Sequence, residues 1–276
     1  MKKNPQQQVV KISRALTQFA IASPTNRRKL GYERTVENHL GIITVQSLKT
    51  LTVKDFKVLC GIVAYIQRNL NNVVAGSKEG LSEIQLQDGD KLFCIDVDMY
   101  SFVKNYLHTT PSAEEYRLLL ESLDVLLHTS ITGHYIVEKK DAKERVIQKA
   151  TIVSHVKATA VTTGKRKKYR IRFIFPEWLY KMWEDPRAFL FDNYYIQKTT
   201  TRTSTLLCVF LMTQKNARSY SKKYLAEQLG LESAIKNRTE LRELRRAFDD
   251  LLKIGYIRSY YEEKREDDIY FVFTRK

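Results

Sequence analysis

Apolar residues between Thr239 and Gly255 recur every three or four positions, at Leu241, Leu244, Phe248, Leu251 and Leu252. That spacing gathers them on one side of a helix. Thr239, Arg242 and Arg246 recur at the same spacing on roughly the opposite side, flanked by Arg238 and Arg245. Asn237 or Thr239 suits the N-cap, and Gly255 suits the left-handed position that ends a helix. Upstream, SKKYLAEQLGL predicts a short helix with Ala226, Leu229 and Leu231 inward, closed by Gly230. Downstream, YIRSYY and DIYFVF are β-prone runs joined by the charged turn EEKREDD. A short helix, a turn, a longer basic helix and a hairpin follow the order of a winged helix-turn-helix.

The same order recurs earlier in the chain. Residues 1–8 are polar and Gln-rich and predict no packed element, and Val9–Ala22 predicts a strand turning into a helix. Ser23–Glu33 reads as a break, and Ile42–Leu48 as a strand. Thr52–Leu70 predicts a long helix, with Thr52 and Asp55 approximating a capping box. Val53, Phe56, Leu59, Cys60, Val63 and Ile66 form its buried face. Asn71–Gly89 reads as a polar loop. Leu92–Val97 alternates like a strand, Asp98 caps a short helix over Met99–Leu107, and Thr110-Pro111-Ser112 opens a helix over Ala113–Leu127. Strands are expected over Ser130–Glu138, Ile147–Thr162 and Lys168–Phe175. Pro176 starts a short helix, PEWLYKMW; NYYIQK reads as a strand, and Thr199–Thr213 as a helix.

Helix, short helix, helix and hairpin therefore occur twice, although no residue-level repeat aligns. The expected fold is α+β, with two tandem winged helix-turn-helix domains. Residues 1–30 are expected to be a partly disordered N-terminal arm. Residues 31–184 are expected to form the first domain and residues 185–276 the second.

Charge sharpens this. The 276 residues hold 47 Lys plus Arg against 31 Asp plus Glu, a net charge of +16 that favours a polyanionic partner. From Lys139 to Arg172 there are twelve basic and two acidic residues, whereas Ala217–Lys276 has fourteen basic and eleven acidic. Phosphate contact is thus expected mainly at the first domain's hairpin tip, Lys165, Arg166, Lys167 and Lys168. Base reading is expected from the second domain, through Arg242 and Arg246. Lys222, Lys223, Arg238, Thr239 and Arg245 line the same surface, since Arg offers a planar fork matching guanine or phosphate. The turn Glu262–Asp268 carries five acids and two bases, a poor wing for DNA unless only Lys264 and Arg265 reach the backbone.

Catalytic constellations are absent from the sequence. His39, His108, His128, His134 and His155 are scattered, with no His-x-His pair to hold a metal beside a tyrosine. Gly164-Lys165 lacks the spacing of a phosphate-binding loop. No catalytic residue, metal or cofactor is expected. Cys60, Cys94 and Cys208 lie apart in apolar surroundings, which predicts buried thiols. No apolar run reaches the roughly 18 residues of a membrane span, and MKKNPQQQVVKISR lacks the apolar core of a secretory signal. The expected location is the cytoplasm.

Three stretches resemble a family. VVKISRAL with LTVKDFKVLCGIVAYIQ, NYYIQKTTTRTSTLLCVFLMTQKN, and SYSKKYLAEQLGLE with FDDLLKIGYI are similar to segments of the replication initiator (Rep) proteins of theta-replicating, iteron-bearing bacterial plasmids. In the middle segment Val209 or Phe210 stands where the family has a tyrosine. Lys253-Ile254-Gly255 replaces the family's terminal Glu-Ile-Asn, and the connection from the first stretch to the first long helix is longer. The resemblance implies a cytoplasmic, non-enzymatic protein binding directly repeated duplex sites at a plasmid origin. It also implies recruitment of host initiator and helicase-loading proteins, and a homodimer in equilibrium with monomer. A transcriptional regulator with two winged helices, or a DNA-processing enzyme, remains the alternative reading of the residues.

Overall fold

The computed structural model describes residues 9–12, 29–38, 41–74, 81–85, 91–139, 142–163, 166–176, 189–214, 217–231 and 237–275. The chain forms two units, residues 27–186, and residues 1–26 together with 187–276. The short strand β1 (Val9–Ile12) belongs to the second of these, where it pairs antiparallel with β10 (Phe189–Asp192).

The unit of residues 27–186 opens with the hairpin β2 (Leu30–Asn38) and β3 (Gly41–Lys49), followed by helix α1 (Val53–Val74). Asp55 is fully buried at the start of α1, where its carboxylate accepts the Thr52 backbone N–H at 2.8 Å and the Thr52 hydroxyl at 2.7 Å. Those bonds compensate the burial of its charge. Every residue expected on the inner face of α1 is buried, and so are Val58 and Ile62, so the helix packs on more than one side. Strands β4 (Leu81–Gln85) and β5 (Lys91–Asp98) come next, then α2 (Met99–Asn105) and α3 (Ala113–Leu127). Asp98 caps α2 by accepting the Ser101 N–H, and Ser112 caps α3 by accepting the Glu115 N–H. Strands β6 (Thr129–Lys139), β7 (Ala142–Thr151), β8 (His155–Thr163) and β9 (Arg166–Pro176) complete the unit. Its two four-stranded sheets have the orders β2-β3-β6-β7 and β4-β5-β9-β8.

In the other unit, β10 leads into α4 (Asn193–Lys198), α5 (Arg202–Thr213), β11 (Ser219–Ser221), α6 (Lys222–Gln228) and α7 (Asn237–Lys253). The hairpin β12 (Ile257–Arg265) and β13 (Asp268–Arg275) follows, giving a sheet of order β11-β13-β12. Gly230 after α6 and Gly255 after α7 have φ of +67° and +74°, the left-handed geometry expected at both helix ends. Leu244, Ala247, Phe248 and Leu251 bury the inner side of α7. The Phe248 ring stacks on Phe271 of β13 at 4.6 Å between centroids. Burying such a ring stabilises by about 1.5–3 kcal/mol, and an aromatic pair adds about 0.5–1.5 kcal/mol.

The two units share a topology. In one, α1, β5, α2, α3, β8 and β9 succeed each other; in the other, α5, β11, α6, α7, β12 and β13 do. In both sheets the last strand lies between the other two, as β5-β9-β8 and β11-β13-β12. The first unit departs by adding β4 at its sheet edge. It also inserts the β6–β7 hairpin, which pairs with β3 instead.

Several local expectations are corrected. NYYIQK is helix α4, because Asp192 caps it through the Tyr194 N–H and Gln197 bonds Asn193 one turn back. These bonds outweigh the strand preference of its paired tyrosines. The loop expected over Asn71–Gly89 contains the last turn of α1 and strand β4, and β2 begins inside the expected break at Leu30. The strand expected over Ile147–Thr162 is two, β7 and β8, in different sheets. Leu252 is exposed rather than part of the apolar stripe. Residues 13–28 lie outside the described residues, as does the expected helix PEWLYKMW apart from Pro176, which ends β9 instead. Cys60, Cys94 and Cys208 are buried free thiols, with burial pushing the Cys60 thiol up. No helix among the described residues is long and apolar enough to cross a membrane.

Candidate nucleic-acid interface

Helix α7 presents Arg242, Arg245 and Arg246 to solvent, because its opposite side is committed to the core. The three differ in what holds them. The Arg242 side chain has no hydrogen bond or ion pair among the described residues. Arg246 meets Glu243 one turn back at 3.3 Å. Arg245 reaches off the helix: its Nε and Nη2 donate to the two carboxylate oxygens of Glu262 on β12, at 2.6 and 2.8 Å. This pair raises the Arg245 pKa and holds the Glu262 carboxyl below its usual range, the hydrogen bond being the largest cause of each.

A second tie runs parallel to the first, with the Tyr260 hydroxyl donating to Asp249 at 2.5 Å. Burial, reinforced by that carboxylate, pushes the Tyr260 phenol up. Residues 245 and 249 lie one helical turn apart, about 6 Å along the axis, and 260 and 262 are two strand residues apart, about 6.6 Å. The matching rises let helix and strand, running in opposite directions, bond twice in register.

The remaining residues expected at this surface are distributed around it. Thr239 is half-buried, and Arg238 lies in the first turn of α7 with its side chain outside the described residues. Lys222 and Lys223 open α6. Lys222 Nζ is 3.9 Å from the buried carboxylate of Glu240, and Lys223 is exposed. With Arg265, Tyr270 and the acidic turn they line a cleft of about 410 Å³. Arg265 is paired with Glu263 at 2.7 Å and lies 4.8 Å above the Tyr270 ring.

The hairpin β8–β9 of the first unit forms the other basic surface. Lys168 is exposed on β9; Arg166 and Lys167 lie on the same strand with side chains outside the described residues, and Lys165 is outside them altogether. The sequence expectation centred on this tip, whereas Lys157 and Arg170 extend the same basic surface along the strands. Lys157 faces Arg172 across the pair, and Arg170 faces Thr159, all exposed. Alternation along β9 around the buried Ile171 and Phe173 was the available signal. Arg172 is engaged: it makes a bidentate bond to Asp96 at 2.8 and 2.6 Å.

The topological counterpart of α7 in the first unit is α3, and its surface chemistry is different. Its exposed stripe carries Glu114, Arg117, Leu120, Glu121 and Asp124. Arg117 is bound by both Glu114 and Glu121, and Asp124 pairs with Lys49 at 3.0 Å. Among the described residues, the one arginine of α3 is thus paired, in contrast to Arg242 of α7.

No family model matches the chain, and no curated protein sequence matches it. Solved structures do. A structure of domains 2 and 3 of RctB, as selenomethionine derivatives, is 12% identical with a TM-score of 0.61, covering 96% of this chain and 99% of that one. A second, of RctB domains 2–3 spanning its residues 155–483, is 14% identical with a TM-score of 0.58, covering 92% and 95%. At such identity the likeness concerns the fold, which it supports as α+β over nearly the whole chain.

Proposed function

We propose that the chain is a replication initiator that binds duplex DNA sequence-specifically through two winged-helix units. The resemblance of three stretches to plasmid replication initiators supports the coarse part of this reading, and the fold shared with RctB domains 2 and 3 is consistent with it. The shared order of helices and of strands in the two sheets supports the winged-helix assignment of each unit.

The observation that carries DNA binding is the exposed arginine row of α7 beside its hairpin, with Arg242 free to meet a base edge. In this reading α7 enters the major groove and the β8–β9 hairpin neutralises phosphate. The DNA is a set of repeated origin sites, host initiator and helicase-loading proteins are the partners, and the phosphodiester backbone is left intact. A homodimer in equilibrium with monomer forms through the first unit, where β7 is an edge strand.

Selection from a random duplex pool with purified protein tests the reading. A recurring site should be enriched, and a retained pool without any common sequence would overturn base reading. Incubating that site with protein and a divalent metal should leave it uncut. Sedimentation over a wide concentration range should show two masses, and a monomer throughout would remove the dimer.

A further inference from the structure

Strand β9 alternates between the two sides of its sheet. Tyr169 and Phe173 face the helices, with ring centroids 5.6 Å from Tyr116 of α3 and 6.4 Å from Phe102 of α2. Lys168, Arg170 and Arg172 therefore stand on the opposite side, where Lys157 of β8 joins them as the cross-strand neighbour of Arg172. All four are exposed. The carboxylates of β5 in the same rows are engaged, Asp96 by Arg172 and Asp98 by the Ser101 N–H at 2.9 Å. The side chains of Lys157, Lys168 and Arg170 have no hydrogen bond or ion pair among the described residues. From Lys168 to Arg172 the strand covers about 13 Å. One strand of a duplex presents about four phosphates over that length. These rows carry no aromatic ring on which an unpaired base could stack, so the surface suits the backbone of a duplex.

Helix α3, on the other side of the sheet, offers the reverse. Its exposed stripe sets Glu114, Glu121 and Asp124 against Arg117, which Glu114 and Glu121 already bind. Carboxylates there repel a phosphate backbone.

We propose that the first unit lies against duplex DNA with the side of its sheet that faces away from α2 and α3. Lys157, Lys168 and Arg170 meet phosphate there, and α3 stays off the DNA. This deepens the phosphate-binding role proposed for the β8–β9 hairpin and rests on the chain being a duplex binder. The two units then share a topology but not a binding mode. Helix α7 enters a groove, whereas the first unit holds the backbone without reading sequence.

Added charge tests the surface. Thr159 lies opposite Arg170 on the cationic side, Leu120 lies on the outer stripe of α3, and both are exposed. Thr159→Lys and Leu120→Lys change the net charge equally. The full chain is titrated with a scrambled duplex at several salt concentrations. Thr159→Lys should steepen the slope of log affinity on log salt by about 0.9, one added phosphate contact. Leu120→Lys should leave the slope unchanged. A second measurement attaches a thiol-reactive photocross-linker to Thr159→Cys or to Leu120→Cys, the native Cys60, Cys94 and Cys208 being buried. Cross-links to the duplex should form from position 159 and stay at the wild-type background from position 120. Steepening by Leu120→Lys, or a cross-link from position 120, would place α3 on the DNA and overturn the proposal. An unchanged slope for Thr159→Lys, with no cross-link from position 159, would take the sheet off the DNA and overturn it too. A wild-type chain that binds no duplex at all would overturn the DNA reading itself, a distinct result.

Discussion

Asp250, on the inner side of helix α7, accepts two hydrogen bonds from Thr200, fifty positions earlier: the backbone N–H at 2.7 Å and the hydroxyl at 2.9 Å. The Ser204 hydroxyl adds a third at 2.5 Å, and Ser204 is itself part of the capping box with Thr201 that starts α5. A buried carboxylate is costly unless its acceptors are filled, and here they are filled by the end of another helix. The bonds set where α7 lies against α5, and therefore where its arginines point.

Asp250→Ala removes that anchor, taking the acceptor from the Thr200 N–H and hydroxyl and leaving the Ser204 hydroxyl the Thr201 carbonyl. The expected loss of stability is on the order of 2–3 kcal/mol, measured by denaturant unfolding. Asp250→Asn keeps one acceptor oxygen and should cost less. An unchanged midpoint for Asp250→Ala would mean the cluster does not position α7.

Arg242→Ala should weaken binding to the selected site by about 1–3 kcal/mol and affect scrambled duplex less. Arg246→Ala should act in the same direction, moderated by its contact with Glu243. Duplex titrations on both DNAs measure this. If the alanine variants change only the salt slope, α7 contacts the backbone and does not read bases.

On the first unit, Lys157→Ala and Arg170→Ala should weaken both DNAs alike. Each should flatten the log–log salt dependence by about 0.9. Arg172→Ala should do less, since its guanidinium is already bound to Asp96. Equal effects of all three would show that Asp96 does not withhold Arg172.

The Asp96–Arg172 pair also predicts a pH dependence. The hydrogen bond from Arg172 holds the Asp96 carboxyl below its ordinary value, so its folded pKa lies beneath its unfolded one. The stabilisation is present above the unfolded value, about 3.9, and is lost as pH falls through the folded value. The pair is half-exposed, so the effect is small. Thermal unfolding of wild type and Asp96→Asn should differ at neutral pH and converge in acid. A gap that persists there would assign the difference to something other than this ionisation.

The sequence alone determined the elements whose signals are local. Helix α7 follows from its apolar spacing and Gly255, α3 from Ser112 and the stripe behind it, and the β12–β13 hairpin from two β-prone runs around a charged turn. These signals act within a few residues, where periodicity and capping decide conformation. The exposed arginines of α7 were legible for the same reason, as the side opposite a core stripe. Tertiary structure decided what depends on distant partners. Strand β4 exists because β5 pairs with it, and α4 is a helix in spite of its tyrosines. The β6–β7 hairpin joins β3, about ninety residues back, and not the sheet of its own hairpin neighbours. Above all, no spacing in the sequence tells Arg242 from Arg245. Among the described residues one side chain is unpaired and the other is held by Glu262, because β12 folds back along α7 at a matching rise, a relation that only the packed chain creates.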